Sequence, residues 1–273
     1  MTLVSPDLRD MRSFLTKPLP RNVGVLQCYI RRNKSGTNKL FPIYSLYLKE
    51  GDVFLMASKK RPKNKTSNYL ISMDQTDLHR TGPNYLGKLR SNFMGTEFQV
   101  FDNGVNPKDT EDDNANSNSE VRCELGAVMY AANVLGSRGP RKMQVSMPGL
   151  DEDDRIIQMK DTGGAGEVSG DTGNDSILAR MKDRNMRDLV YLINKPPRWN
   201  EQVGAYVLNF NGRVTMASVK NFQLVDPDEQ NAVVLQFGRV GKDEFTMDLQ
   251  YPISPFQAFA VTLSSFDSKI ACD

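Results

Sequence analysis

"SPFQAFAVTLSSF", residues 254–266, is the stretch on which the fold turns. Ser254 is a good N-cap and Pro255 suits the first helical position, so the segment reads as a helix. Its apolar residues Phe256, Ala258, Phe259, Ala260, Val261, Leu263 and Phe266 surround the axis rather than lining one stripe. A helix that is apolar all round has to be buried all round. It is too short to cross a bilayer, which takes about 20 residues. Something else in the chain must enclose it.

The enclosing material is strand. Period-two alternation recurs in "VGVLQCYI", "FPIYSLYL", "DVFLMAS", "SNYLISM", "EFQVFD", "RCELGAVMY", "KMQVSM", "DLVYLIN", "AYVLNF" (205–210), "RVTMASV" (213–219), "AVVLQFG" and "EFTMDL", with Gly, Pro, Asn and Asp between them. Asn211-Gly212 is a strong hairpin signal, and a second hairpin is expected to turn near Gly241 and Lys242. No βαβ alternation is visible, so the sheet is expected to be antiparallel. About a dozen strands closed into a barrel leave a lumen too wide for their own side chains, and a greasy helix would fill it. A helix sandwiched between two ordinary sheets fits the same pattern.

Two segments interrupt the strands. Residues 106–120, "NPKDTEDDNANSNSE", read as a solvated acidic loop, and 151–176 as a flexible, acidic, Gly-rich insertion. A short helix follows, with Asn174, Asp175 or Ser176 as its cap and Ile177, Leu178 and Met181 on one face. The expected organisation is an N-terminal extension, 1–13, and one domain, 14–273.

Net charge is only +2, but residues 1–105 hold 17 Lys and Arg against 8 Asp and Glu, while the remainder holds 18 against 25. A basic face that attracts anions is one reading of this asymmetry, and two solvated patches is the other. Cys28, Cys123 and Cys272 have no CxxC spacing, which suits reduced thiols in a cytosolic or nuclear setting. The first 20 residues show no apolar core of a signal peptide.

Within the basic part, "NYLGKLRSNFMG" (84–95) sets Lys88 and Arg90 either side of Leu89. On a strand the two cations share a face and repel unless an anion sits before them. "KKRPKNK" (59–65) adds five cations in seven residues. Catalysis finds little support: the single histidine, His79, lies in a turn, and no triad or zinc spacing is present. "GGAGEVSG" is not a dinucleotide fingerprint, and Trp199 is expected to pack.

"KTSNYLIS", "GKLRSNFMGT", "NVLGSRGPRKM", "NKPPRWNEQVGAYVLNFNGRVTMASVKNFQLV", "VLQFGRVGKDEFTMD" and the ending "FDSKIACD" resemble the C-terminal domain of tubby and the tubby-like proteins. The resemblance runs from about Phe14 to Asp273. It implies a mainly β fold: a closed antiparallel β-barrel of about twelve strands around a central hydrophobic C-terminal α-helix. It implies binding of phosphatidylinositol 4,5-bisphosphate at the cytosolic face of the plasma membrane, with no cofactor, catalytic residue or metal. A membrane-tethered regulator or trafficking adaptor for membrane-protein cargo is the expected role, with the nucleus or cilium as further locations and a monomer as the expected state. The alternative is a nuclear regulator that binds DNA through the basic face, although no helix-turn-helix, zinc finger or basic zipper is present.

By the same resemblance Lys88 and Arg90 are the lipid-binding cation pair, and Arg122 and Asn68 are further headgroup contacts. Alternation turns Val121, Cys123 and Leu125 inward and Arg122 outward, where Glu124 is its competing surface partner. It likewise turns Tyr69, Ile71 and Met73 inward and Asn68 outward. Lys65 is the residue of the basic run closest to the strand and completes the expected set. Pro62 and Asn64 stand where animal members carry a longer run of cations, which would weaken surface affinity.

Overall fold

The structure, a computed structural model, describes residues 8–62, 64–110, 120–131, 142–162, 176–202 and 204–267. Its strands are β1 (Leu26–Asn33), β2 (Ile43–Leu48), β3 (Val53–Lys60), β4 (Asn68–Ser72), β5 (Tyr85–Ser91), β6 (Glu97–Asp102), β7 (Cys123–Tyr130), β8 (Met143–Pro148), β9 (Met159–Lys160), β10 (Leu189–Asn194), β11 (Arg198–Asn200), β12 (Ala205–Val207), β13 (Phe222–Val225), β14 (Val233–Arg239) and β15 (Glu244–Leu249). Helices are α1 (Met11–Thr16), α2 (Pro107–Thr110), α3 (Ile177–Lys182) and α4 (Pro255–Phe266).

Twelve of the strands form one antiparallel ring, β1 to β8 followed by β10, β13, β14 and β15, and β15 pairs back onto β1. The β6–β7 pairing makes the sheet continuous, so it has no free edge there. Inside runs α4, every residue of which is buried. Closure decides between the two readings of its pattern, because a ring of strands leaves no second sheet to sandwich the helix.

Local signals fix the start of α4. Ser254 accepts from the Gln257 amide at 3.1 Å, and the Gln257 side chain accepts from the Ser254 amide at 3.0 Å. This capping box satisfies two orphan donors inside the barrel, where no water competes. Ser254→Ala should therefore cost about 1 kcal/mol, seen as a lower midpoint in urea unfolding with an unchanged slope. At the other end Phe266 packs on Tyr44, Phe245 and Phe237, with centroids 4.5, 4.7 and 5.3 Å away. The buried C-cap Asp267 accepts from Tyr69 at 3.2 Å and pairs with Lys60 at 3.4 Å. Lys60, one cation of the basic run, is thus drawn to the end of the plug.

Several expectations are corrected. "AYVLNF" and "RVTMASV" are not barrel strands: among the described residues β12 pairs only with β11, and 213–219 forms no strand. The Asn211–Gly212 turn exists, with φ of 51° and 72°, but no ladder flanks it. The connection is instead laid across the outer wall, where Arg213 bonds Asp248 at 2.5 and 2.8 Å and the Cys28 carbonyl at 3.3 Å. "FQLV", which does not alternate, supplies β13. The expected hairpin at Gly241 and Lys242 joins β14 to β15.

The acidic insertion is ordered over 151–162, where Leu150 bridges Ile156 and β9 pairs with β7. The rest of it, 163–175, lies outside the described residues, as do Asn174 and Asp175, while Ser176 caps α3. The 106–120 loop opens with the single turn α2, and 111–119 also lie outside. Helix α1 crosses the expected boundary at residue 13 and buries Leu15 in the core. Trp199, expected to pack, is 56% exposed on β11.

Candidate anion-binding site

The β4–β5–β6 ladder sets the site. Tyr69 pairs with Leu89 and Leu89 with Val100, all in the core. One step along, Asn68 pairs with Arg90 and Arg90 with Gln99, while Leu70 pairs with Lys88 and Lys88 with Phe101. Alternation therefore sends Asn68, Lys88, Arg90 and Phe101 to the outer wall together, as the sequence implied for the first three.

Outward does not mean solvated. Lys88 is only 4% exposed, and Asn68 is 8% exposed with its Oδ1 buried and unbonded. Burial, then repulsion from Arg122, Arg80 and Arg90, pushes the Lys88 ammonium down to about 7, and Asp161 offsets only part of this. Burial and Arg122 likewise lower Arg90, whose side chain reaches solvent. Neither Lys88 nor Arg90 forms an ion pair among the described residues.

Arg122 joins this cluster in a different way from the one expected. Its guanidinium lies 4.3 Å over the Phe101 ring, and Lys88 approaches the same ring at 5.7 Å. It is buried, and its acid is Asp161, at 2.6 Å from Nε, not Glu124. Glu124 instead accepts from Gln99 at 3.2 Å and from the Ile177 amide at the start of α3 at 2.8 Å. Lys65 is exposed in the β3–β4 loop, three residues before Asn68.

Arg80, Phe101 and Asp161 were not read from the sequence. Arg80 comes from the β4–β5 loop and Asp161 from the insertion, so only tertiary structure brings them to β5. Beyond Leu70 a cleft of about 430 Å³ continues the basic surface, lined by Lys59, Arg61, His79 and Arg80 among others. A larger cleft, about 710 Å³, lies between residues 16–22 and 153–156, but there Arg21 and Asp154 neutralise each other at 3.0 Å.

A twelve-stranded barrel filled by its own helix, with a desolvated cation cluster on its outer wall, is a barrel of the tubby type. The Tub family model matches residues 15–268, and the chain belongs to that family. It is 51% identical over 266 residues to Tubby-related protein 2 of Mus musculus, covering 96% of this chain and 45% of that protein. To Tubby-related protein 1 of Mus musculus it is 46% identical over 269 residues, 98% of this chain and 47% of that one. To Protein king tubby of Drosophila sechellia it is 46% identical over 268 residues, 97% of this chain and 56% of that one. The chain thus spans about half the length of the curated relatives it matches.

Proposed function

We propose that this chain binds phosphatidylinositol 4,5-bisphosphate at the cytosolic face of the plasma membrane and serves as a tethered regulator or adaptor, released when the headgroup is cleaved or let go. One observation carries the reading: Lys88 is desolvated among Arg80, Arg90 and Arg122, and Asp161, the acid that offsets part of this, is already paired to Arg122. Such a cluster is short of negative charge, and a bisphosphorylated ring supplies it. Arginine forks suit phosphate oxygens, the ammonium acts as a point charge, and the unbonded Asn68 Oδ1 can accept from a ring hydroxyl. Lys65 and Arg61 would add about 1 kcal/mol each near an anionic leaflet.

Calorimetry with soluble inositol 1,4,5-trisphosphate tests the site, and sedimentation with vesicles containing the lipid tests tethering. Arg90→Ala should weaken both by about tenfold to a hundredfold, the worth of one charged hydrogen-bonded contact, with little change in Tm because the side chain is exposed. Wild-type affinity in that variant would refute the assignment. Duplex DNA that binds and is not displaced by the soluble headgroup would favour the nuclear reading.

A further inference from the structure

Loops β1–β2, β3–β4 and β5–β6 are neighbours on one rim of the barrel, the rim reached by Phe266 and Asp267. Leu40 in the first is 83% exposed, and Phe93 and Met94 at the tip of the third are 72% and 56% exposed. Between them stands the β3–β4 loop, with Arg61 and Lys65 exposed. Met216 and Val219, also exposed, lie at the same rim, because Met216 bonds the Arg239 carbonyl at the end of β14 and Val219 precedes β13. Single exposed apolar residues are ordinary, but a run of them along one rim is not.

The tip of β5–β6 is also held in shape. Asn92 Oδ1 accepts from the Thr96 and Glu97 amides at 3.0 and 3.3 Å, and its amide donates to Thr96 Oγ1 at 2.9 Å. Gly95 takes φ of 72°, a left-handed conformation that favours glycine. Phe93 and Met94 are therefore presented by a braced turn, three and four residues beyond Arg90. The polar cluster and the apolar tip sit on one hairpin.

We propose that Phe93 and Met94, with Leu40 as a second point, enter the acyl region of an anionic bilayer and seat the barrel rim-down on it. The inference rests on the headgroup reading above. The arrangement is continuous with that site: Asn68 and Arg90 are its members nearest this rim, and the Ser67 carbonyl accepts from the Ser91 amide at 2.9 Å, tying the basic loop to the hairpin. The cations flanking the apolar points match anionic headgroups, while the apolar points match the layer beneath. A bilayer offers both at once.

The test uses Phe93→Trp in a Trp199→Phe background, since Trp199 is the chain's single tryptophan. With vesicles of phosphatidylcholine and the 4,5-bisphosphate lipid, the reporter's emission should shift to the blue and be quenched by lipids brominated along the acyl chain. In parallel, Phe93→Ser with Met94→Ser should bind these vesicles at least about tenfold more weakly while keeping wild-type affinity for soluble inositol 1,4,5-trisphosphate. An unquenched reporter on bound protein, or vesicle affinity unchanged in the double variant, overturns the inference alone. Failure of the wild-type chain to bind the soluble headgroup overturns the headgroup reading and this inference with it.

Discussion

Lys88→Met is expected to weaken headgroup binding severely and to make the protein more stable. Methionine keeps the length of the side chain and can lie against Leu70 and Phe101, so the cost of holding an ammonium among three arginines disappears. Loss of a desolvated charged contact costs about 2–5 kcal/mol of affinity, at least about thirtyfold. Each kcal/mol of stability gained would raise Tm by about 2–4 °C in a domain of this size. A site held at a cost to the fold is what a stability–function trade-off predicts.

The pH dependence follows from the same lysine. Its folded-state value lies near 7, below the ordinary lysine range, so the charged form is disfavoured by folding. The penalty is fully present below about 7 and fades as pH rises toward the unfolded value. The Tm advantage of Lys88→Met should therefore be widest in mildly acid buffer and close in alkaline buffer. Binding runs the other way: an anion needs the ammonium, so wild-type affinity should hold below about 7, decline above it, and be accompanied by proton uptake. Titrations in buffers of different ionisation enthalpy measure that uptake. A Lys88→Met protein that binds the headgroup as tightly as wild type, or melts below wild type in acid, would sink the account.

Gly87→Ala carries the largest expected loss of stability. Gly87 has φ of 153°, and an added Cβ would stand 2.2 Å from the Phe101 carbonyl oxygen and 2.8 Å from the Phe256 ring of α4. Backbone strain of about 1–3 kcal/mol and overpacking of about 1–3 kcal/mol add, lowering Tm by about 5–20 °C. Lys88 is the next residue, so headgroup affinity should fall as well. Adding Phe256→Leu relieves the ring contact but not the carbonyl, and should restore only part of the loss. An alanine variant that melts within about 1 °C of wild type would refute the close approach.

What the sequence made legible was local. Ser254, Pro255 and an all-round apolar run announce α4 without reference to anything else. Period-two alternation likewise reveals most of the barrel and puts Asn68, Lys88 and Arg90 on one face. It fails where a strand is covered on both sides: β13 is buried throughout, with Gln223 bonded to the carbonyl of Asn209, in the connection outside the barrel, at 2.9 Å. It also misleads in "RVTMASV", where alternating residues lie along the wall rather than in it. The charge environment of Lys88 was not legible, since Arg80 and Asp161, which act on it, are carried by separate loops. Arg122 is the instructive case, for the acid two positions on, Glu124, is engaged at α3 and a residue 39 positions away takes its place.

The helix that fills the barrel follows every strand that encloses it, and the ring shuts by joining β1 to β15. A growing polypeptide emerging from the ribosome therefore makes its wall first and its filling last. Until α4 has emerged, the nascent strands lack the helix they pack around, and their exposed apolar faces are prone to aggregate. A premature stop before Pro255 would remove the filling, not shorten a tail, and quality control should dispose of the product whole.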